Sequence, residues 1–261
     1  MSAGDDHARV AYDAFAPYYD EFTAHHDYEA WTAALERLAR EAGLSGRELL
    51  DVACGTGKSF EPFLGRAYRV TACDVSPAML ELARRRAGGR AHLVEADARR
   101  LPVLGAFDLV TFLDDAVNYL HGAAELDDAF TGIARNLAPH GVLVFDANTL
   151  ATFRRLYSSC LVVQAPGRVL TLRGRGSDRL AAGGMAVAHL DALVQQPDGW
   201  WTETRSVHRH RHHPRAELRA ALEHAGLRCA AVRGLHVDGR VDPDADELRH
   251  SKAVYVARRP D

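Results

Sequence analysis

Apolar positions fall into two periods along this chain. Short apolar runs from Leu49 to Val52, Val70 to Asp74, Ala91 to Glu95, Phe107 to Leu113 and Gly141 to Asp146 read as buried strands. Between them the spacing becomes helical. Trp31, Leu35, Leu38, Ala39 and Ala42 precede a stop at Gly43, and Leu126, Phe130, Ile133 and Leu137 precede the turn Pro139-His140-Gly141. Leu218, Ala221, Leu222 and Ala225 form one face between Pro214 and Gly226. Ser76-Pro77-Ala78-Met79-Leu80 reads as a capped helix start, and Arg84, Arg85 and Arg86 as its solvated end, where cations suit the helix dipole. Strands alternating with helices predict an α/β fold with a mostly parallel sheet.

The alternation breaks between about 150 and 212. Leu161 to Ala165, Val169 to Arg173, Met185 to Val194 and Trp200 to His212 read as consecutive strands, with turns at Pro166-Gly167, Gly183-Gly184 and Pro197-Asp198-Gly199. The pattern predicts an antiparallel insertion after the fifth strand. Leu227 to Val237 and His250 to Arg258 supply two closing strands, and the acidic stretch Asp238 to Glu247 between them reads as flexible.

Composition narrows the class without naming the chemistry. With 26% charged and 47% hydrophobic residues, the 261-residue chain is ordinary for a globular protein of one large domain with an elaboration. A net charge of −3 leaves no electrostatic footprint for a nucleic acid. The polar, acidic first twenty residues do not read as a signal peptide, and no apolar run approaches the ~18 residues of a membrane span. Cys54, Cys73, Cys160 and Cys229 are widely spaced, so neither a zinc site nor a disulfide framework is expected, and a reducing cytoplasm is.

Candidate chemistry begins where the first strand runs into Asp51-Val52-Ala53-Cys54-Gly55-Thr56-Gly57. A tight glycine turn at a strand's carboxyl end lets backbone amides approach a cofactor, and an acid at the end of the next strand, here Asp74, can hold ribose hydroxyls. This predicts a nucleoside-type cofactor. Read as a dinucleotide fingerprint from Gly55, the loop has Phe60 in place of the third glycine, which counts against a nicotinamide or flavin cofactor.

The form Asp-x-Ala-Cys-Gly-Thr-Gly resembles the first motif of the class I S-adenosylmethionine-dependent methyltransferases. The resemblance covers roughly residues 45 to 150 and 214 to 258. It implies a Rossmann-like fold, with a mostly parallel seven-stranded sheet, helices on both faces, and the antiparallel β insertion. Residues 1–44 would form an N-terminal helical lid, 45–150 and 214–261 the cofactor-binding domain, and 151–213 the insertion on the substrate side. In the family the loop of Ala53 and Gly55 approaches the methionine end of the cofactor, Met79 packs on adenine, and Asp97 accepts from the adenine amino group. Val75, Ala98, Leu113 and Asn118 join Asp74 in the cofactor set. A buried core methionine would look the same as Met79 in sequence. Tyr12, Asp13, Ala16, Tyr19 and Asp20 match a segment that folds over the cofactor, with Tyr19 as the lid residue and Tyr12 and Tyr18 divided between lid and packing.

The loop after strand four, Asp114-Asp115-Ala116-Val117-Asn118-Tyr119-Leu120-His121, borders the methyl group in this fold. Tyr119, Asp115 and His121 are therefore the candidate catalytic residues, orienting an acceptor or taking its proton; Asp114 reads as a helix cap. No Asn-Pro-Pro-Tyr tetrapeptide stands there, which disfavours DNA bases and protein glutamine. The expected activity is methyl transfer to a nitrogen or oxygen of a small molecule, an amino sugar or another secondary metabolite, by a monomer or homodimer acting on neither nucleic acid nor membrane. A peptide N-methyltransferase and a cofactor-binding module without transfer are the alternatives. His208, His210 and His212 alternate onto one strand face; with no carboxylate or cysteine partner evident, a pocket-lining or solvated strand is favoured over a metal site.

Overall fold

The computed structural model describes residues 7–260; residues 1–6 of the expected lid, and residue 261, lie outside the described residues. Two helices, α1 (His7–Phe22) and α2 (Tyr28–Glu41), precede β1 (Glu48–Val52), α3 (Glu61–Gly65), β2 (Arg69–Asp74), α4 (Pro77–Ala87) and β3 (Ala91–Glu95). Then come β4 (Phe107–Phe112), α5 (Ala123–Asn136), β5 (Leu137–Asn148) and α6 (Leu150–Leu156). The insertion contributes β6 (Cys160–Ala165), β7 (Arg168–Gly174), β8 (Met185–Gln195) and β9 (Trp201–Arg211). The chain closes with α7 (Arg215–His224), β10 (Arg228–Leu235), β11 (Val241–Asp242) and β12 (Lys252–Arg258).

The main sheet runs β11-β10-β12-β5-β4-β1-β2-β3. Pairings from β3 across to β5 are parallel, whereas β12 lies antiparallel between β5 and β10. Chain order reverses at β1, whose neighbours are β2 and β4. That reversal opens a crevice at the carboxyl ends of these strands, where ligands bind in open α/β sheets.

Period-2 alternation sends the strand side chains into two cores. Leu50, Val110, Phe112, Leu143, Phe145 and Tyr255 meet α5 and α7 on one face; Leu49, Leu109, Val142, Val144 and Val254 meet α2, α3 and α4 on the other. Helices therefore cover both faces. A third cluster joins Phe15 of α1 and Phe153 of α6 to Leu172, Ala186, Ala188 and Leu190 of the inserted four-stranded sheet β6-β7-β8-β9.

The sheet differs from expectation at two places. It has eight strands, because the two-residue β11 pairs with β10 inside the stretch read as flexible. The expected turn at Pro139-His140-Gly141 lies within β5, where the register with β4 shifts between Phe107 and Leu109. A bulge there admits a proline that a regular ladder would not. Among the described residues, no helix is long and apolar enough to cross a membrane.

Candidate active site

The carboxyl ends of β1 to β4 surround a cavity of about 940 Å3, its open mouth included. The loop after β1 turns through positive φ at Ala53, Gly55 and Gly57. At Gly57 a Cβ would stand 2.6 Å from the ring of Phe60, which is wholly buried beneath the loop. The phenylalanine that breaks the dinucleotide pattern is thus the floor of this turn. Asp74 joins the two loops, accepting the Gly55 and Ser76 backbone N–H groups at 2.8 Å each. Burial raises its carboxyl to about 6. Deeper still, Asp51 accepts from Ser59 (2.6 Å) and Thr111 (2.7 Å), and burial pushes it up to about 7. Asp97 caps the turn after β3 through the Arg99 N–H, and the Arg99 guanidinium grips both its oxygens.

Of the residues assigned to a cofactor from sequence, Tyr19, Ala53, Gly55, Asp74, Val75, Asp97, Ala98 and Leu113 line this cavity. Two do not. Met79 has no exposed surface in the first turn of α4 and is a core residue. Asn118 is equally buried because its amide spans two strands, donating to the Arg211 carbonyl (2.8 Å) and accepting the Asn148 N–H (2.9 Å).

Helix α1 crosses the cavity, contributing Tyr12 and Tyr19 to its wall. Polar contacts pin it at its middle and its carboxyl end. Asp13 accepts from the Ser76 hydroxyl (2.5 Å) and the Ala78 N–H (3.3 Å), so it meets the amino end of α4. Asp20 accepts from Thr56 in the glycine loop (2.6 Å) and pairs with Arg86, while Lys58 donates to the Thr23 carbonyl (3.0 Å). Tyr18 faces away from this cavity and packs on the cluster around Phe15.

A second chamber, about 2010 Å3 with its mouth, lies between α1, α6, the inserted sheet and the loop after β4. Tyr12, Tyr19, Asp114 and Tyr119 belong to both walls, so the two spaces meet there. Asp114 and Asp115 both adopt left-handed backbone, φ 57° and 51°. Asp146 at the end of β5 holds that geometry by accepting their N–H groups at 2.9 and 2.8 Å. Lys252 then meets three carboxylates, Asp114 (3.3 Å), Asp115 (3.1 Å) and Asp146 (3.0 Å). Asp114 is therefore no helix cap; it accepts from Tyr28 (2.6 Å) as well as Lys252.

Charge in this cluster is unevenly shared. Burial raises the Asp115 carboxyl despite Lys252, and does the same to Asp146. At Asp114 burial is outweighed by Lys252 and Tyr28, and the carboxyl falls below its usual range. Burial opposes the Lys252 charge, but the three acids overcome it and hold the ammonium well above its ordinary pKa. Three acids around one lysine leave the wall negative.

Opposite them, β9 turns His208 and His210 inward, where burial lowers both to about 3 and keeps them neutral. Tyr119 lies 2.6 Å from His208 Nδ1, and His208 Nε2 lies 2.9 Å from the Ser206 hydroxyl. A phenol donating to Nδ1, with Nε2–H donating to Ser206, satisfies all three groups. His210 Nδ1 meets the Tyr157 hydroxyl and lies 3.5 Å from Asp115, while its buried Nε2 has no hydrogen-bond partner among the described residues. His212 instead contacts Gly183 and Glu247, so the three alternating histidines do not converge on one point. His121 lines the first cavity, away from this chamber, with Nε2 donating to the Arg209 carbonyl at 3.0 Å. The sequence reading missed Lys252 and Tyr28; for the histidine strand it left pocket-lining and solvated open, and His208 and His210 line the chamber.

Among the described residues one group has metal-like composition, His236, Asp242 and His250. Both imidazole Nε2 atoms lie 3.0 Å from Asp242, whose carboxyl they hold down at about 2. His250 Nδ1 accepts the Asp246 N–H at 2.8 Å, which puts the ring proton on Nε2. A metal would need a lone pair on that atom. The trio is a hydrogen-bonded clasp holding the β10–β11 hairpin to the start of β12.

Residues 49–141 match the family model described as a methyltransferase domain. Over 143 residues the chain is 32% identical to the protein YqeM of Bacillus subtilis (strain 168), a match spanning 54% of this chain and 56% of that one. The chain thus spans little more than half of that relative's length. Over 202 residues it is 31% identical to the dTDP-3-amino-3,6-dideoxy-alpha-D-glucopyranose N,N-dimethyltransferase of Streptomyces fradiae, covering 77% of this chain and 78% of the relative. The solved sugar N-methyltransferase KedS8 from Streptoalloteichus sp ATCC 53650 superposes with a TM-score of 0.74 at 26% identity, over 93% of each chain. A likeness running through more than three quarters of the Streptomyces enzyme makes this chain a member of the class I S-adenosylmethionine-dependent methyltransferases.

Proposed function

We propose that the chain transfers a methyl group from S-adenosylmethionine to the amine nitrogen of a small molecule of the amino-sugar kind. The observation that carries this reading is the junction of the two chambers at Tyr12, Tyr19, Asp114 and Tyr119, with an acid-rich wall on the acceptor side. The names of the Streptomyces relative and of KedS8 support the amino-sugar class.

The residues present fit the cofactor. Open space lies where a Cβ of Gly55 would stand, so the backbone there can approach the methionine end closely. Asp74, fixed by two backbone N–H groups, is offered to the ribose hydroxyls, and Asp97, steadied by Arg99, to the adenine amino group. Val75, Ala98 and Leu113 supply wall around them, and Tyr19 covers them from α1. When bound, S-adenosylmethionine supplies a methyl group on a sulfonium whose sulfur leaves as a neutral thioether.

An amine attacks only as the free base, and most amines arrive protonated at neutral pH. Asp115 attracts the ammonium. Its raised pKa also makes it a better proton acceptor than an exposed aspartate. Tyr119, held by His208, orients the nitrogen at the junction; His121, on the cofactor side and 5.3 Å from the His7 ring, steadies the lid over the donor. Most of the rate enhancement then comes from positioning and exclusion of water.

The same reading puts the enzyme in a reducing compartment such as the cytoplasm, supported by the wide spacing of its four cysteines along the sequence. It also excludes nucleic acid as acceptor, since phosphodiesters would meet the acidic wall.

The test is to incubate the protein with S-adenosylmethionine and a 3-amino-3,6-dideoxy sugar substrate and to follow the mass gain of successive methyl groups. Asp115→Asn should lower kcat/KM by about a hundredfold. Full activity in that variant would remove Asp115 from the reaction.

A further inference from the structure

The acceptor chamber also carries information about what the amine is attached to. Four acids line it, Asp27, Asp114, Asp115 and Asp238, with Asp146 directly behind. Against them stand two permanent cations, Lys252 and Arg155. Lys252 is committed to three carboxylates, which leaves Arg155, exposed on α6. Of the five histidines that line the chamber, burial lowers His26, His208 and His210, His236 Nε2 meets Asp242, and His25 stands exposed. One further arginine of α6 and three of the inserted sheet are engaged elsewhere. Arg154 donates to the Leu180 carbonyl, Arg168 pairs with Glu21, and Arg173 and Arg205 both pair with Asp191.

Much of the remaining wall is apolar and aromatic. Phe15, Phe22, Leu156, Leu172 and Leu190 line one side of a space far larger than a single amino sugar needs. A diphosphate group needs paired cations or a row of free N–H donors to replace its water. Among the described residues the lining of this chamber offers it one exposed arginine, one exposed histidine and several carboxylates. An ammonium on an uncharged body meets the opposite situation, with counter-charge at one end and apolar surface along the rest.

We propose that this chamber takes an amine carried on an otherwise uncharged, largely apolar body, in place of an amine carried on a nucleoside diphosphate. The inference rests on the amine-methyltransferase reading above and specifies its substrate class. It separates this chain from the Streptomyces relative, whose name states a dTDP-linked sugar.

The experiment compares two probes bearing the same amine, the phenyl glycoside of 3-amino-3,6-dideoxyglucose and its thymidine diphosphate ester. Each is titrated calorimetrically into protein saturated with S-adenosylhomocysteine and assayed for methyl gain with S-adenosylmethionine; free thymidine diphosphate is added as a competitor. The expected result is kcat/KM at least about tenfold higher for the glycoside, with no inhibition by thymidine diphosphate. Preference for the ester, or competition by thymidine diphosphate, overturns the inference and leaves the amine reading intact. Glycoside bound without methyl gain supports the inference and overturns the transfer reading. Failure of the glycoside to bind, while S-adenosylhomocysteine still binds, overturns the inference.

Discussion

Lys252 and Asp51 have opposite effects on stability, and each can be measured alone. Removing Lys252 would strand the wholly buried Asp146 and the half-buried Asp114 and Asp115 without a cation. Lys252→Met is therefore expected to cost about 3–5 kcal/mol in urea unfolding at pH 7, since breaking a buried ion pair from one side leaves uncompensated charge. A cost below about 1 kcal/mol, as for an exposed pair, would mean that the cluster is not balanced through this lysine. Asp51 has a folded-state carboxyl raised to about 7, above its ordinary 3.8. The folded protein thus binds that proton more readily than the unfolded chain does. The stability it contributes is complete below pH 3.8 and is lost as pH rises through 7. In Asp51→Asn the fall in unfolding free energy between pH 5 and 8 should flatten; profiles that stay parallel would contradict the assignment.

At the scale of elements, α1 acts as a strap. Its own apolar face reaches the insertion through Phe15, but its place over the cofactor cavity depends on polar contacts at Asp13, Asp20 and Thr23. Asp20 is partly exposed, so losing it should loosen the strap without disturbing the core. Asp20→Ala is expected to weaken S-adenosylhomocysteine binding by about tenfold, from one lost charge-assisted contact, while the unfolding midpoint changes little. Unchanged affinity by calorimetry would show that the strap is held by packing alone. The hairpin of β10 and β11 is secured differently, by the His236, Asp242 and His250 clasp, and it carries Val237 and Asp238 into the acceptor wall.

For the whole molecule, the proposed donor site is assembled from loops after successive strands and covered by α1, so ligand binding should stabilise the fold as a unit. At about a hundred times its dissociation constant, S-adenosylhomocysteine should add about 2.7 kcal/mol. For a chain of this size that is a rise of about 5–10 °C in the unfolding midpoint. NAD at the same concentration should produce none. Equal shifts would mean that the glycine loop does not discriminate between nucleosides.

Local features were readable from the amino-acid sequence because the interactions that set them are local. Short apolar runs located all the parallel strands, the Ser76 cap located α4, and the loop from Ala53 to Gly57 with Asp74 and Asp97 located the cavity proposed for the donor, since successive strand ends of a parallel sheet must lie side by side. The run of strands after residue 150 announced the insertion. Only the tertiary structure decided the acceptor side. Lys252 reaches Asp146 across 106 residues and Asp114 across 138, and no spacing or periodicity records such a meeting. Asp114 read as a cap and Met79 as a cavity residue because burial depends on what packs against a residue, not on its neighbours in the chain. The same holds for His208 and His210. Their alternation put them on one face of β9, but α1 and the loop after β4, packing over that face, made it the neutral wall of a chamber rather than a surface in water.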